Sequence, residues 1–431
     1  MFSKNCKLQK YYLYGMKYSF FILFTTCSIL IFGQEEFPVN GIDNTYSPVY
    51  AFTNAHIIIS SEKEIKKGTL LIKDGEILEA DSLVEIPTGA IIKDLNGDYI
   101  YPSFIDLYSD YGLPKPEKGN YNWRPQYKSS KEGSFHWNES IHPELNSSEQ
   151  FSGNEKNSKK YLNNGFGVVL SHVIDGISRG SACLVSLSNE IDQKNMITPI
   201  AASCFSFKKG VSSQKYPTSL MGSYALLKQL FLDVYWYKEN GKSNNLSLNA
   251  FINQLSLPHI FQADLTTDYN RIYNLSDEFE INFIIKGNGK EYQIIPELTK
   301  FNFPIILPLN FPKDYDIESP EDIDILTLSK LKHWETAPFN PRILSENKIN
   351  FCFTMYDLEK SELFIKNLRK TIEKGLSKKD ALNALTLVPA KLINQEHKLG
   401  SLEKGKIANF IICSSDIFED GEIYENWTNG I

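Results

Sequence analysis

Several signatures that would assign a chain quickly are missing here. There is no serine-nucleophile motif, no phosphate-cradling glycine loop and no dinucleotide fingerprint, so the usual sequence routes to serine hydrolases, P-loop enzymes and Rossmann enzymes are closed. Positive charge is not in excess: 45 Lys and Arg face 52 Asp and Glu, a net charge of -7, which argues against a nucleic-acid surface. Repeats and low-complexity tracts are absent. No two cysteines form a Cys-x-x-Cys pair, and Cys183, Cys204, Cys352 and Cys413 each sit beside apolar residues, the setting of buried free thiols and not of a cysteine-bound zinc.

Long apolar runs are lacking too. The run over 20–33 is shorter than the roughly 20 residues that cross a bilayer. With Lys17 before it, Gly33 at its end and Gln34-Glu35-Glu36 after it, it reads as a secretory signal over 1–33. Met16-Lys17 already provides a charged start, so Met16 is an alternative initiator. Export to the periplasm or cell envelope is the expectation, with no stable membrane span after cleavage.

From 49 to 100 the text consists of short strand-like runs separated by Asp74-Gly75 and Asn96-Gly97, which predicts an antiparallel β module with hairpins. Beyond Pro102, apolar runs over 165–172, 182–187, 280–286, 304–309 and 347–354 alternate with segments such as 218–238 and 358–374 that carry apolar residues at helical spacing. Apolar strands separated by amphipathic helices predict a parallel sheet covered by helices. At this length an α/β fold with a (β/α)8 TIM-type barrel is the economical reading. The stretch 114–162 is polar with interleaved aromatics (Tyr121, Trp123, Tyr127, Phe135, Trp137), which predicts an ordered, docked loop. β-like text returns at 409–413 and 422–427.

Four blocks carry a family resemblance. They are Pro102-Ser-Phe-Ile-Asp-Leu-Tyr-Ser-Asp110, Gly68-Thr-Leu-Leu-Ile-Lys-Asp-Gly-Glu-Ile77, Gly375-Leu-Ser-Lys-Lys-Asp-Ala-Leu-Asn-Ala-Leu-Thr-Leu-Val-Pro-Ala-Lys391 and Leu399-Gly-Ser-Leu-Glu-Lys-Gly-Lys-Ile-Ala-Asn-Phe410. In this order they resemble the amidohydrolase superfamily, closest to its imidazolonepropionase-like branch. Gly176-Ile-Ser-Arg-Gly-Ser-Ala182 and Tyr216-Pro-Thr-Ser-Leu-Met-Gly-Ser223 further resemble the N-terminal half of large exported bacteroidete-type amidohydrolases. The resemblance implies a barrel at 101–395 and a small composite β-sandwich built from 49–100 and 396–431. It also implies a second amidohydrolase barrel, in the same or a neighbouring chain, as a partner.

It further implies a divalent metal such as zinc at the C-terminal mouth of the barrel, activating water for attack on a carbon–nitrogen bond. The positions that should hold it are changed. Tyr108 and Asp110 stand where the first strand brings two histidines, Gln262 where the fifth brings one, and Gly287 where the sixth brings another. Asp357 is the surviving candidate from the eighth. Imidazole nitrogens are the preferred ligands of such ions, so no bound metal is expected. Outside this set, His172 at a strand end, with Asp175 and Arg179 nearby, is the best catalytic candidate, against a bland role bonding the following loop. Asp106 reads as a strand-end support and His259 as a structural group near the strand starts. His136 and His142 read as solvated loop residues, and Lys286 and Glu335 as residues that could face the mouth.

Three functions remain open on the sequence: a catalytically degenerate barrel with a structural or regulatory role, a one-metal C–N hydrolase using Asp110, His172 and Asp357, and a barrel that binds a small ligand through Tyr108, Gln262 and the loop tryptophans.

Overall fold

The computed structural model describes residues 48–118, 128–188, 192–241, 244–315 and 326–431. The expected signal over 1–33 and the loop residues Tyr121, Trp123 and Tyr127 lie outside them.

Two sheets organise the chain. The first joins both ends of the sequence in seven strands: β1 (Tyr50–Ser60), β2 (Lys63–Lys73), β3 (Glu76–Asp81), β4 (Ile91–Asp94), β5 (Tyr99–Pro102), β14 (Phe410–Cys413) and β15 (Ile423–Trp427), in the order β15-β14-β5-β1-β2-β3 with β4 against β1. The expected antiparallel pairing holds for β1–β2, β2–β3 and β14–β15 but not throughout, because β4 and β5 both run parallel to β1. The ends are held by aromatic packing. Phe52 meets the edges of Phe410 and Trp427 at 5.0 Å each, and Phe410 stacks on Trp427 at 5.8 Å.

The second sheet has eight strands in sequence order, β6 (Phe104–Ser109), β7 (Phe166–Ser171), β8 (Ser178–Ser186), β9 (Met196–Ser206), β10 (His259–Gln262), β11 (Phe283–Lys286), β12 (Ile305–Pro308) and β13 (Phe351–Thr354). The residues of β7, β8, β10, β11, β12 and β13 are all buried, as expected for strands covered on both faces. Helices Leu220–Asn240, Leu246–Gln254, Asp268–Phe279 and Leu363–Glu373 supply the covering layer. Phe205 sits in that layer's core with Phe231, Phe251, Phe261 and Phe283 around it.

A regular (β/α)8 array is not what the sheet forms, since β8 is antiparallel to both β7 and β9. Connection length explains this. Only 172–177 joins β7 to β8, and 187–195 joins β8 to β9, both shorter than the dozen or so residues a parallel crossover takes. Gly180 (φ +79°) lies in β8 where a Cβ would come within 2.1 Å of Leu145 O. Its absence lets the 128–146 segment dock directly, with Ser181 N donating to Leu145 O at 2.9 Å.

The terminal strands β6 and β13 are brought together by side chains. Asp106 on β6 accepts from Tyr108 N and from Met355 N just past β13, each at 2.9 Å, and Thr354 Oγ1 donates to Tyr108 O at 3.2 Å. Asp106 is fully buried, so removing its carboxylate strands two amide donors. Asp106→Ala is expected to lower the unfolding free energy by roughly 2–5 kcal/mol, read from urea denaturation; a change within ~0.5 kcal/mol would contradict the bridging role.

Candidate functional site

The ends of β6, β10, β11 and β13 converge on a buried polar cluster centred on Arg179 of β8. Tyr108, the last residue but one of β6, is buried and donates its hydroxyl to Gln262 Oε1 at 2.7 Å. Arg179 Nη1 donates to the same Tyr108 hydroxyl at 2.7 Å, and Nη2 to Gln262 Oε1 at 2.9 Å. Its Nε reaches Gly176 O at 3.2 Å. Gln262 Nε2 donates to Asp264 Oδ1 at 3.0 Å, and Lys208 Nζ meets that oxygen at 2.8 Å. A continuous polar chain therefore runs from the buried guanidinium out to the surface.

A second group lies beside it. Lys286, the last residue of β11, is buried and forms an ion pair with the half-exposed Asp357. Its ammonium also lies over the rings of Tyr356 and Tyr108, at 5.2 and 5.7 Å, where the aromatic quadrupole favours a cation. Asp357 adopts a left-handed backbone (φ +71°), which costs a non-glycine residue energy that the ion pair helps to offset. Burial, with Asp357, Asp110 and Asp264 nearby, raises the Tyr356 phenol above its ordinary range.

Gly287 is occupied in a different sense. A Cβ there would fall 2.2 Å from Glu291 Oε1. Glu291 is fully buried and accepts from Tyr269 Oη (2.9 Å), Asn288 N (2.8 Å), Gly289 N (3.1 Å) and Asn340 Nδ2 (2.7 Å). A histidine at 287 would have to displace this satisfied carboxylate. Glu291 had no signal in the sequence beyond being one glutamate in a helical start.

The candidates thus separate. Tyr108 and Gln262 are joined through Arg179, Asp357 belongs to Lys286, Gly287 is backed by Glu291, and Asp110 is exposed at the end of its strand. His172 is fully buried with its ring edge-on to Tyr108 at 4.7 Å. The expected side-chain bond to the following loop is not made: neither ring nitrogen has a partner among the described residues, while its backbone N–H donates to Ser109 O. Burial, and then Arg179, hold its pKa well below the usual imidazole range. His136 is buried rather than solvated, and His142 is partly buried with Asp175 at 3.9 Å. Glu335 is exposed on helix Leu328–Thr336 and not at a strand end. His259 opens β10 among Phe205 and Phe283, as expected of a structural histidine. Trp137 stacks on Tyr216 at 6.1 Å, so its ring belongs to the docked loop.

A divalent ion is poorly matched by these side chains. Neutral imidazole and carboxylate groups hold such ions. Here the corresponding positions offer a phenol, a carboxamide, a glycine, an aspartate already bound to a lysine and, as one exposed carboxylate, Asp110. Among the described residues, no three His, Cys, Asp or Glu side chains converge on one point.

Likeness to known proteins agrees with the architecture. The Amidohydrolase family's sequence model matches residues 336–430, the span from the approach to β13 through the closing strands. An amidohydrolase from Thermotoga maritima superposes with a TM-score of 0.68 at 19% identity, covering 89% of this chain and 98% of that one. The chain shares that amidohydrolase's fold, and over residues 336–430 it matches the Amidohydrolase family's sequence model. A Xaa-Pro dipeptidase with bound methionine gives a TM-score of 0.53 at 13% identity, with 89% and 98% covered. A putative prolidase from Bifidobacterium longum gives 0.52 at 13%, with 89% and 94% covered. No curated protein matches by sequence.

The histidines also set a pH dependence. Burial lowers His136, His142 and His259 to about 4, and holds His172 well below its ordinary value. Each stays neutral in the fold while the unfolded chain takes a proton near pH 6.5, so stability is present above that pH and is lost as pH falls towards 4. The loss is at most about 1.4 kcal/mol per pH unit and group. Asp106, raised by burial to about 6, and Asp175 and Asp268, also raised by burial, oppose this. Urea unfolding at pH 7 and pH 5 is expected to show a loss of several kcal/mol at pH 5; equal stabilities would contradict neutral buried imidazoles.

Proposed function

We propose that this protein is a catalytically degenerate amidohydrolase: a barrel-derived fold that serves a structural or regulatory role in the cell envelope, beside a second amidohydrolase barrel in the same or a neighbouring chain. The eight-stranded sheet is read as a barrel derivative whose seam between β6 and β13 is bridged by Asp106 and Thr354. The observation that supports degeneracy is the chemistry of the donor set. Tyr108 and Gln262 spend their oxygens on Arg179, Glu291 fills the space at Gly287, Asp357 neutralises Lys286, and Asp110 alone keeps an exposed carboxylate. With two buried cations already present, a divalent ion would enter against charge repulsion and without an imidazole to hold it. Activated water, on which hydrolysis of a C–N bond by this fold would depend, then has no source.

A one-metal hydrolase using Asp110, His172 and Asp357 is the competing reading. Asp110 and Asp357 do share a neighbour in Tyr356, but the imidazole nitrogens of His172 are sealed in protein. The test is bound metal in the purified protein after dialysis against zinc and manganese, with dipeptide and cyclic-amide turnover measured in parallel. Less than about a tenth of an equivalent and no turnover are expected; about one equivalent, lost in Asp110→Ala or Asp357→Ala, would establish the competing reading instead.

A further inference from the structure

Arg179 is among the largest side chains that the fold buries completely, and a buried guanidinium is costly unless its donors and its charge are met. Its three described acceptors are neutral oxygens: Tyr108 Oη, Gln262 Oε1 and Gly176 O. Among the described residues no carboxylate lies within ion-pair distance of it. Two of those acceptors are the residues that stand at the expected ligand positions of the first and fifth strands. The lone pairs that would face an ion between β6 and β10 face the guanidinium.

We propose that Arg179 is the resident cation of this centre, a covalently attached guanidinium that takes the place of a divalent ion and ties the ends of β6 and β10 together from β8. The inference rests on the degenerate reading above and says what replaced the metal. It explains the choice of neighbours. A metal asks for deprotonated nitrogen or oxygen ligands, whereas a planar guanidinium asks for acceptors in its plane. A phenol oxygen and a carboxamide oxygen supply these without adding buried negative charge. It also explains why Gln262 turns its Nε2 away, onto Asp264, leaving Oε1 for Arg179 and Tyr108. A guanidinium has no vacant coordination position for water, so the substitution keeps the electrostatic and mechanical part of the centre and gives up the hydroxide-forming part.

Competition for one place is testable. In the whole protein, Tyr108→His, Asp110→His and Gln262→His are combined, once with Arg179 kept and once with Arg179→Ser, and zinc is titrated into both. With Arg179 kept, less than about a tenth of an equivalent is expected to bind; with Arg179→Ser, about one equivalent. Zinc bound equally by both, or by neither, overturns the placement of Arg179. If the combined variants do not fold, as judged by circular dichroism, Arg179→Gly alone is used. Millimolar methylguanidinium is expected to raise its melting temperature and methylammonium at the same concentration to leave it unchanged; equal effects overturn the proposal. Zinc bound by the unaltered protein would instead overturn the degenerate reading, so the two failures are distinguishable.

Discussion

A guanidinium buried away from water must be given acceptors, and the strand ends around Arg179 are arranged to provide them. Arg179 draws the phenol of Tyr108 and the carboxamide of Gln262 together from strands that are not neighbours in the sheet. That demand propagates. Gln262 is oriented by Asp264, which is held by Lys208. Tyr108 is fixed from below by Asp106, whose carboxylate also reaches the end of β13. The ring of Tyr108 packs between His172 and Tyr356 and forms one wall of the Lys286 site. Low dielectric strengthens each of these bonds and makes each of them expensive to leave unmade.

Lys286 and Asp357 repeat the theme at the neighbouring strands. A buried ammonium is compensated by a half-exposed aspartate and by two tyrosine faces. Glu291 solves the reverse problem, a buried carboxylate met by two backbone amides, an amide side chain and a phenol. The buried charges of Arg179, Lys286 and Glu291 are thus each met by groups of the protein itself. His172 lies beside them with neither ring nitrogen partnered among the described residues, and its neutrality is what the adjacent guanidinium requires.

Much of this architecture was legible in the residues because burial leaves a periodic trace. The apolar runs at 166–171, 283–286, 305–308 and 351–354 are fully buried strands, and the helices Leu220–Asn240 and Leu363–Glu373 lie where helical spacing placed them. The direction of β8 was not read, although the six residues of 172–177 are too few for a crossover helix. The changed positions Tyr108, Gln262, Gly287 and Asp357 could be located by their flanking words, but not what they do, because a hydrogen bond between β6, β8 and β10 has no local sequence pattern. Arg179 did carry a signal: a lone arginine amid small residues in Gly176-Ile-Ser-Arg-Gly-Ser-Ala182 is a charge placed in a strand that is otherwise uncharged. His136 and His142 misled because a lone histidine in a polar loop is usually solvated even where the loop docks, and here they lie just before and within the segment that pairs with β8.

The most direct test of the account is a crystal structure of the protein grown in millimolar zinc, with anomalous data collected at the zinc absorption edge. The account predicts guanidinium density between Tyr108 Oη and Gln262 Oε1 and no anomalous peak at the ends of β6, β10, β11 and β13. An anomalous peak within bonding distance of Tyr108, Gln262 or Asp357, with Arg179 swung aside, would contradict it.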